Sequence, residues 1–297
     1  MARRCLVCLC LVLIASGAGS SGDTARAAAA QAAAGAADYE TRKVTDSVYI
    51  FRFGGTQAMF VVTPDGVIAT DPISAQASKV YLQEIRKITQ APVRYVVYSH
   101  HHLDHITGGA PFKEAGATFV AHRQARAALL RLKDPNVVIP DLVVDDQTVL
   151  TVGGTRVELH FVGRNHSDNS LVTFVPKDRI IFAVDFLLIR ELPFRGLPDT
   201  YVLEYFESID RTLALDWDRM IAGHSRQGGI GTKDDIRAFK GYMTDLFAAV
   251  KQAAAEGKCE AQAMAEIKLP KYADWGRPEF LPQNIERLCY FFRLGWL

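Results

Sequence analysis

Val93-Arg94-Tyr95-Val96-Val97-Tyr98-Ser99-His100-His101-His102-Leu103-Asp104-His105 is the stretch on which the fold turns. Its first half is a β-branched and aromatic run, which reads as a strand. Its second half packs four of the chain's 8 histidines and a carboxylate into a few residues, so chance clustering is a poor account of it. Neutral imidazole and carboxylate are the ligands that zinc and its neighbours prefer. Ligands that follow a strand sit on a loop held by a rigid scaffold, where sites are commonly built. In extended chain, residues two apart project to the same side. His100 and His102 can therefore grip one metal, while Asp104 and His105, beyond a turn, can face a second. The same parity points His101 away. Four potential ligands in six residues are too many for one structural zinc, and structural sites tend to be closed and cysteine-rich.

Working outward, three further candidates stand on loops that follow a strand. His166 follows 156–162, Asp185 ends Ile180-Ile181-Phe182-Ala183-Val184, and His224 follows Met220-Ile221-Ala222-Gly223. Each alone reads as an ordinary hydrogen-bonded residue; together they repeat one grammar of strand and then ligand. His122 and His160 do not follow it and read as structural or surface residues.

The chain has 297 residues, 49% of them hydrophobic and 23% charged, which suits a globular protein with a large core. A net charge of +1 supplies no global field to gather nucleic acid, so none is expected as a partner. Arg3 and Arg4, the apolar run Cys5 to Ala15 and the small residues Ser16 to Gly19 read as a secretory signal over 1–18. An alanine-rich, low-complexity leader over 19–38 follows, and one domain over 39–297. Periplasmic or secreted location is then expected, with no stable membrane span after cleavage. Export leaves Cys259 and Cys289, which either pair or stay as buried thiols.

Within the domain, alternation and turn chemistry predict strands at 44–53, 59–63, 67–70, 93–98, 118–121, 142–150, 156–162, 171–175, 180–184 and 220–222. Helical spacing appears at 75–89, 123–133, 201–213 and 234–255. Strands and helices mix throughout, which predicts one α/β domain of two β-α halves. The aromatic-rich end, with helical spacing over 285–293, reads as a helix on the outer face.

His100-x-His102-x-Asp104-His105, then His166, Asp185 and His224 in that order, resembles the metallo-β-lactamase superfamily. The resemblance runs from about Tyr39 to at least His224. It implies a four-layer αββα sandwich with the site at one edge of two sheets. It implies that His100, His102 and His166 bind a first metal, that Asp104, His105 and His224 bind a second, and that Asp185 bridges them. Asp71, ending an early strand, matches the family's buttress for the ligand loop. Two zinc ions per chain are expected, with iron or manganese as alternatives. Two-metal sites hold their ions roughly 3.5–4 Å apart, and zinc lowers the pKa of bound water to about 7. The expected reaction is hydrolysis of an acyl bond (thioester, lactone or amide) by a metal-bridging hydroxide that Asp104 orients.

Departures narrow the reading. One β-lactamase subclass has cysteine where Asp185 stands, with a lysine three residues on, where this chain has Leu188. Asp185 instead resembles thioesterases and lactonases. Two alternatives stay open: a true periplasmic β-lactamase, and a mononuclear iron enzyme like the persulfide dioxygenases. The small-molecule substrate is expected between Phe53–Gln57 and the loop 187–201, where Arg190 or Arg195 can hold a carboxylate. Oligomeric state is open.

Overall fold

A computed structural model describes residues 38–224 and 228–295. The expected signal at 1–18 and the leader at 19–38, Asp38 apart, lie outside the described residues. Among the described residues, no helix is long and apolar enough to cross a membrane.

Two sheets form the centre. The first holds, in spatial and chain order, β1 (Tyr39–Lys43), β2 (Val48–Phe53), β3 (Thr56–Thr63), β4 (Gly66–Thr70), β5 (Val93–Val97), β6 (Thr118–His122) and β7 (Leu142–Val144). Its first three pairings are antiparallel, closed by tight turns at Gly54-Gly55 and Pro64-Asp65. From β4 to β7 the pairings are parallel, because helices make the crossovers. The second sheet contains β8 (Gln147–Val152), β9 (Thr155–Phe161), β10 (Leu171–Val175), β11 (Ile180–Ala183), β12 (Arg219–Ala222) and β13 (Ile230–Gly231), in the order β13-β12-β11-β10-β9-β8.

The run 142–150, read from sequence as one strand, is two. Asp145 and Asp146 interrupt it, and the chain leaves the first sheet at Val144 to enter the second at Gln147. The expected strand 44–53 also starts late: Val44 to Ser47 form the turn between β1 and β2, where Thr45 Oγ1 accepts the Ser47 and Val48 N–H groups.

The inner faces meet in a core that includes Ile50, Met59, Val61, Ile68, Leu159, Val175, Phe182 and Ile221. On the outer face of the first sheet lie α1 (Ala75–Ile88), α2 (Leu103–Ile106), α3 (Ala110–Glu114) and α4 (Arg123–Leu132). Tyr81, Leu82 and Ile85 of α1 pack there with Phe51, Phe60 and Phe119. Ser74 caps α1 by accepting the Ala77 N–H. The outer face of the second sheet carries α5 (Tyr205–Ala214), α6 (Lys233–Ala255), α7 (Ala261–Glu266) and α8 (Leu281–Leu294). Phe239, Tyr242 and Leu246 of α6 meet Ile285 and Leu288 of α8 in that core. With both faces of each sheet covered, β4, β10 and β11 are buried at every residue. The architecture is an αββα sandwich, as the sequence led one to expect. Cys259 and Cys289 form a disulfide that ties the segment before α7 to α8.

Candidate metal centre

Four connections, each following a strand, bring the ligand candidates together at one end of the sandwich. Beyond β5, His100 lies in a bend and His102 in extended backbone before α2, and Asp104 and His105 fall on that single helical turn. His166 comes from the loop after β9, Asp185 from the end of β11, and His224 from the end of β12.

The donor atoms fall into two groups. His100, His102, His166 and Asp185 converge in one; Asp104, His105, Asp185 and His224 converge in the other, with all donors of a group within 4.8 Å of one another. In the first, His166 Nε2 is 3.0 Å from His102 Nδ1, and both His100 Nε2 and His166 Nε2 are 3.6 Å from Asp185 Oδ2. In the second, His224 Nε2 lies 3.1 Å from His105 Nε2, 3.2 Å from Asp104 Oδ2 and 3.5 Å from Asp185 Oδ1. Asp185 therefore stands between the groups. It holds φ +67°, left-handed backbone that a side chain occupies only when its surroundings enforce it.

The outer nitrogens settle which lone pairs point inward. His102 Nε2 is 3.0 Å from Asp199 Oδ2, His105 Nδ1 is 3.2 Å from Asp71 Oδ2, and His224 Nδ1 is 2.9 Å from the Gly55 carbonyl. Carboxylate and carbonyl oxygens only accept, so these nitrogens carry the protons and the inward ones are left as ligand atoms. Asp71 also accepts the Ser99 N–H at 2.8 Å, which fixes the loop entering the cluster.

Charge divides the two groups. Burial pushes the His166 imidazole down to about 4 and holds His100 well below its ordinary value, so both rings are neutral, the form that could hold a metal ion. For His105 burial opposes protonation, but Asp185 and Asp71 outweigh it and raise the ring well above its usual range. Asp185 is held well below the carboxylate range against its burial, chiefly by His105 and His224. Asp104 is likewise lowered, burial being outweighed by His224 and His105.

These residues fit divalent cations. His100 Nε2 and Asp185 Oδ1 are buried and have no hydrogen-bond partner, which is costly for polar atoms unless another ligand satisfies them. Imidazole and carboxylate are a borderline-to-hard set suited to zinc, iron or manganese. Gly223 makes the convergence sterically possible: a Cβ there would stand 2.4 Å from Val184 Cγ1 and 3.1 Å from Asp185 Oδ1.

Other expectations fare differently. His101 turns out of both groups and meets the Asn169 side-chain amide. His122 caps α4 through the Gln124 N–H and stacks on Phe161, while His160 pairs with Glu158. A cavity of about 210 Å³ opens over the donors, walled by Leu188, Leu192, Phe194 and Pro198. The loop 187–201 thus lines it as expected. Phe53–Gln57 does not: Gly55 props His224, and the buried Gln57 side chain donates to the Ala222 carbonyl. Neither Arg190 nor Arg195 reaches the cavity. Arg190 is drawn to Asp274 on the surface, and Arg195 lies 5.5 Å over the Phe194 ring. The arginine that does line it is Arg277, from the C-terminal segment. No sequence signal marked it, because an arginine distant in the chain carries no spacing cue.

Three comparisons bear on this geometry. The alpha subunit of 2,4-dinitroanisole O-demethylase from Nocardioides sp. (strain JS1661) is 24% identical over 187 residues, covering 62% of this chain and 57% of the relative. A metallo-beta-lactamase type 2 from Bacillus sp. (strain 170) is 28% identical over 175 residues, 57% of this chain and 66% of the relative. The matches thus span less than two thirds of these relatives' lengths. A metallo-beta-lactamase structure from Pontibacter korlensis superposes with a TM-score of 0.61 at 18% identity, covering 70% of this chain and 99% of the other, which shows a shared fold. The family model described as metallo-beta-lactamase superfamily matches residues 51–224, more than half of the chain and all seven converging side chains. On that match and on the sandwich that carries it, the chain belongs to the metallo-beta-lactamase superfamily.

Proposed function

We propose that the protein is a dinuclear, zinc-dependent hydrolase that cleaves an acyl bond of a small molecule (a thioester, lactone or amide). One observation carries the reading: two complete donor groups share Asp185. A mononuclear iron enzyme has no use for the second group, so hydrolysis is favoured over oxidation. Zinc ions held by these two groups would supply a nucleophilic water near neutral pH and a Lewis acid for the acyl carbonyl.

The chain's own residues do the rest. His100, His102 and His166 hold the first cation; Asp104, His105 and His224 hold the second; Asp185 offsets the charge between them. Asp104 is the half-exposed member, faces the cavity and is ionised. Its carboxylate can orient the attacking water and take up a proton at Oδ2. The apolar wall of Leu188, Leu192 and Phe194 excludes water from the acyl group. Asp185 and the cavity wall favour a general hydrolase over a dedicated β-lactamase. The proposal includes export to the periplasm or beyond, supported by the basic start and short apolar run of residues 3–15.

Metal analysis of the purified protein, followed by a panel of thioesters, lactones and β-lactams, tests it. Two zinc per chain and hydrolysis that Asp104→Ala abolishes are expected. One iron per chain, or full activity in Asp104→Ala, overturns the two-metal reading.

A further inference from the structure

We propose that the cavity takes acyl substrates bearing a second, anionic group, and that Arg277 binds that group while Glu191 positions it. This rests on the hydrolase reading and names its substrate class: an acyl compound with an apolar segment and a remote carboxylate.

The argument begins with where Arg277 stands. It shares the cavity lining with Asp104, His166, Asp185, Leu192 and Phe194. Among the described residues lining that cavity, it is the one side chain besides the imidazoles that carries positive charge. Its neighbour Glu191 is 2% exposed and does not line the cavity. Glu191 Oε2 lies 2.8 Å from Arg277 Nε, yet Nε is buried and donates no hydrogen bond. The contact is therefore ionic attraction without donor alignment. A guanidinium has five N–H donors in a planar fork suited to a carboxylate, and an ionic anchor on one flank leaves that fork to a ligand.

The backbone around it is over-determined. Glu191 and Gly276 form a parallel bridge; the Leu192 N–H donates to the Gly276 carbonyl at 3.0 Å, and the Gly276 N–H to the Arg190 carbonyl at 2.8 Å. A Cβ on Gly276 would stand 3.0 Å from Glu191 Cγ, so a larger residue there would press on the Glu191 side chain. Arg277 itself has φ +61° and ψ +42° immediately before Pro278. Left-handed backbone in a side-chain-bearing residue is held only where its surroundings impose it, and such sites cluster at ligand clamps. Apart from the clustered histidines and carboxylates, the cavity is lined by Leu188, Leu192, Phe194 and Pro198, so an anionic group held apart from that cluster finds Arg277 as its partner.

The test uses the zinc-loaded full chain and two chromogenic esters of adipic acid: the mono-p-nitrophenyl ester with a free remote carboxylate, and the same compound with that carboxylate methylated. Wild type is expected to prefer the free acid at least tenfold in kcat/KM, through KM. In Arg277→Gln the free-acid to methyl-ester ratio is expected to fall about 10- to 100-fold, the range for losing a charge-assisted hydrogen-bonded contact. Arg277→Lys should recover part of the ratio. Glu191→Gln, which keeps the arginine and the shape, should lower it by less. A ratio that keeps its wild-type value in Arg277→Gln overturns the proposal. Calorimetric titration with adipate and with hexanoate reads the same preference without turnover. If wild type cleaves neither ester, the hydrolase reading fails for this class. The anion site then stands if adipate loses tenfold against hexanoate in Arg277→Gln, and falls if it does not.

Discussion

Asp71 offers the sharpest separation of stability from metal binding. It is fully buried; its Oδ1 accepts the Ser99 N–H at 2.8 Å and its Oδ2 lies 3.2 Å from His105 Nδ1. Asp71→Ala orphans two buried donors at about 1–3 kcal/mol each, so a loss of about 2–5 kcal/mol in unfolding free energy is expected. Asp71→Asn keeps the volume but has one acceptor oxygen where the carboxylate has two. With that oxygen on Ser99, the amide NH2 faces His105 and drives the ring proton to Nε2, the atom that meets Asp185 and His224. Asp71→Asn should therefore cost no more than about 1–2 kcal/mol of stability, while zinc affinity of the Asp104/His105/His224 group falls about 10- to 100-fold. Denaturant unfolding measures the first quantity, and chelator competition with stoichiometry the second. An Asp71→Asn protein that binds two zinc ions as tightly as wild type would refute the tautomer argument.

Gly223→Ala pushes a methyl to 2.4 Å from Val184 Cγ1 and against Asp185. It should cost about 1–3 kcal/mol by overpacking and lower the zinc stoichiometry, read by metal analysis. Reduction of Cys259–Cys289, separated by 30 residues, should cost about 3–4 kcal/mol; a urea midpoint indifferent to reductant would count against that figure. Asp141 accepts from Lys113 Nζ and from the Phe119 N–H, and these outweigh its partial burial and lower its carboxyl below the ordinary value. A depressed folded value gives stability present above the unfolded carboxylate pKa of about 3.9 and lost as pH falls through the lower, folded value. The gap in urea midpoint between wild type and Asp141→Asn should then shrink from pH 7 to pH 3; a constant gap would show that the carboxylate's charge contributes nothing.

The ligand cluster was legible because its signal is local. Parity in extended chain separates His100 and His102 from His101, and the structure turns His101 toward Asn169 as parity requires. His166, Asp185 and His224 were legible because each follows a strand. The break at Asp145-Asp146 was missed because the alternation on either side stays in phase, while the change of sheet is a tertiary event. Arg190 and Arg195 were chosen for lying in the right loop, but Asp274 and Phe194 claim them. Arg277 and Glu191 were invisible for the opposite reason: their meeting is made by a bridge between segments some 85 residues apart.

The passage of the chain between sheets at Val144 has a mechanical consequence. His100, His102, Asp104 and His105 extend from the first sheet, and His166, Asp185 and His224 from the second. Neither donor group can be completed from one sheet. Any cation held by either group is thus a rivet through the seam between the layers, bearing load as well as ligating. Ligand linkage then makes the cohesion of the two halves depend on free metal, by about 2.7 kcal/mol per site at a hundred times the dissociation constant. Metal starvation would loosen the sandwich at the same edge where its chemistry is assembled.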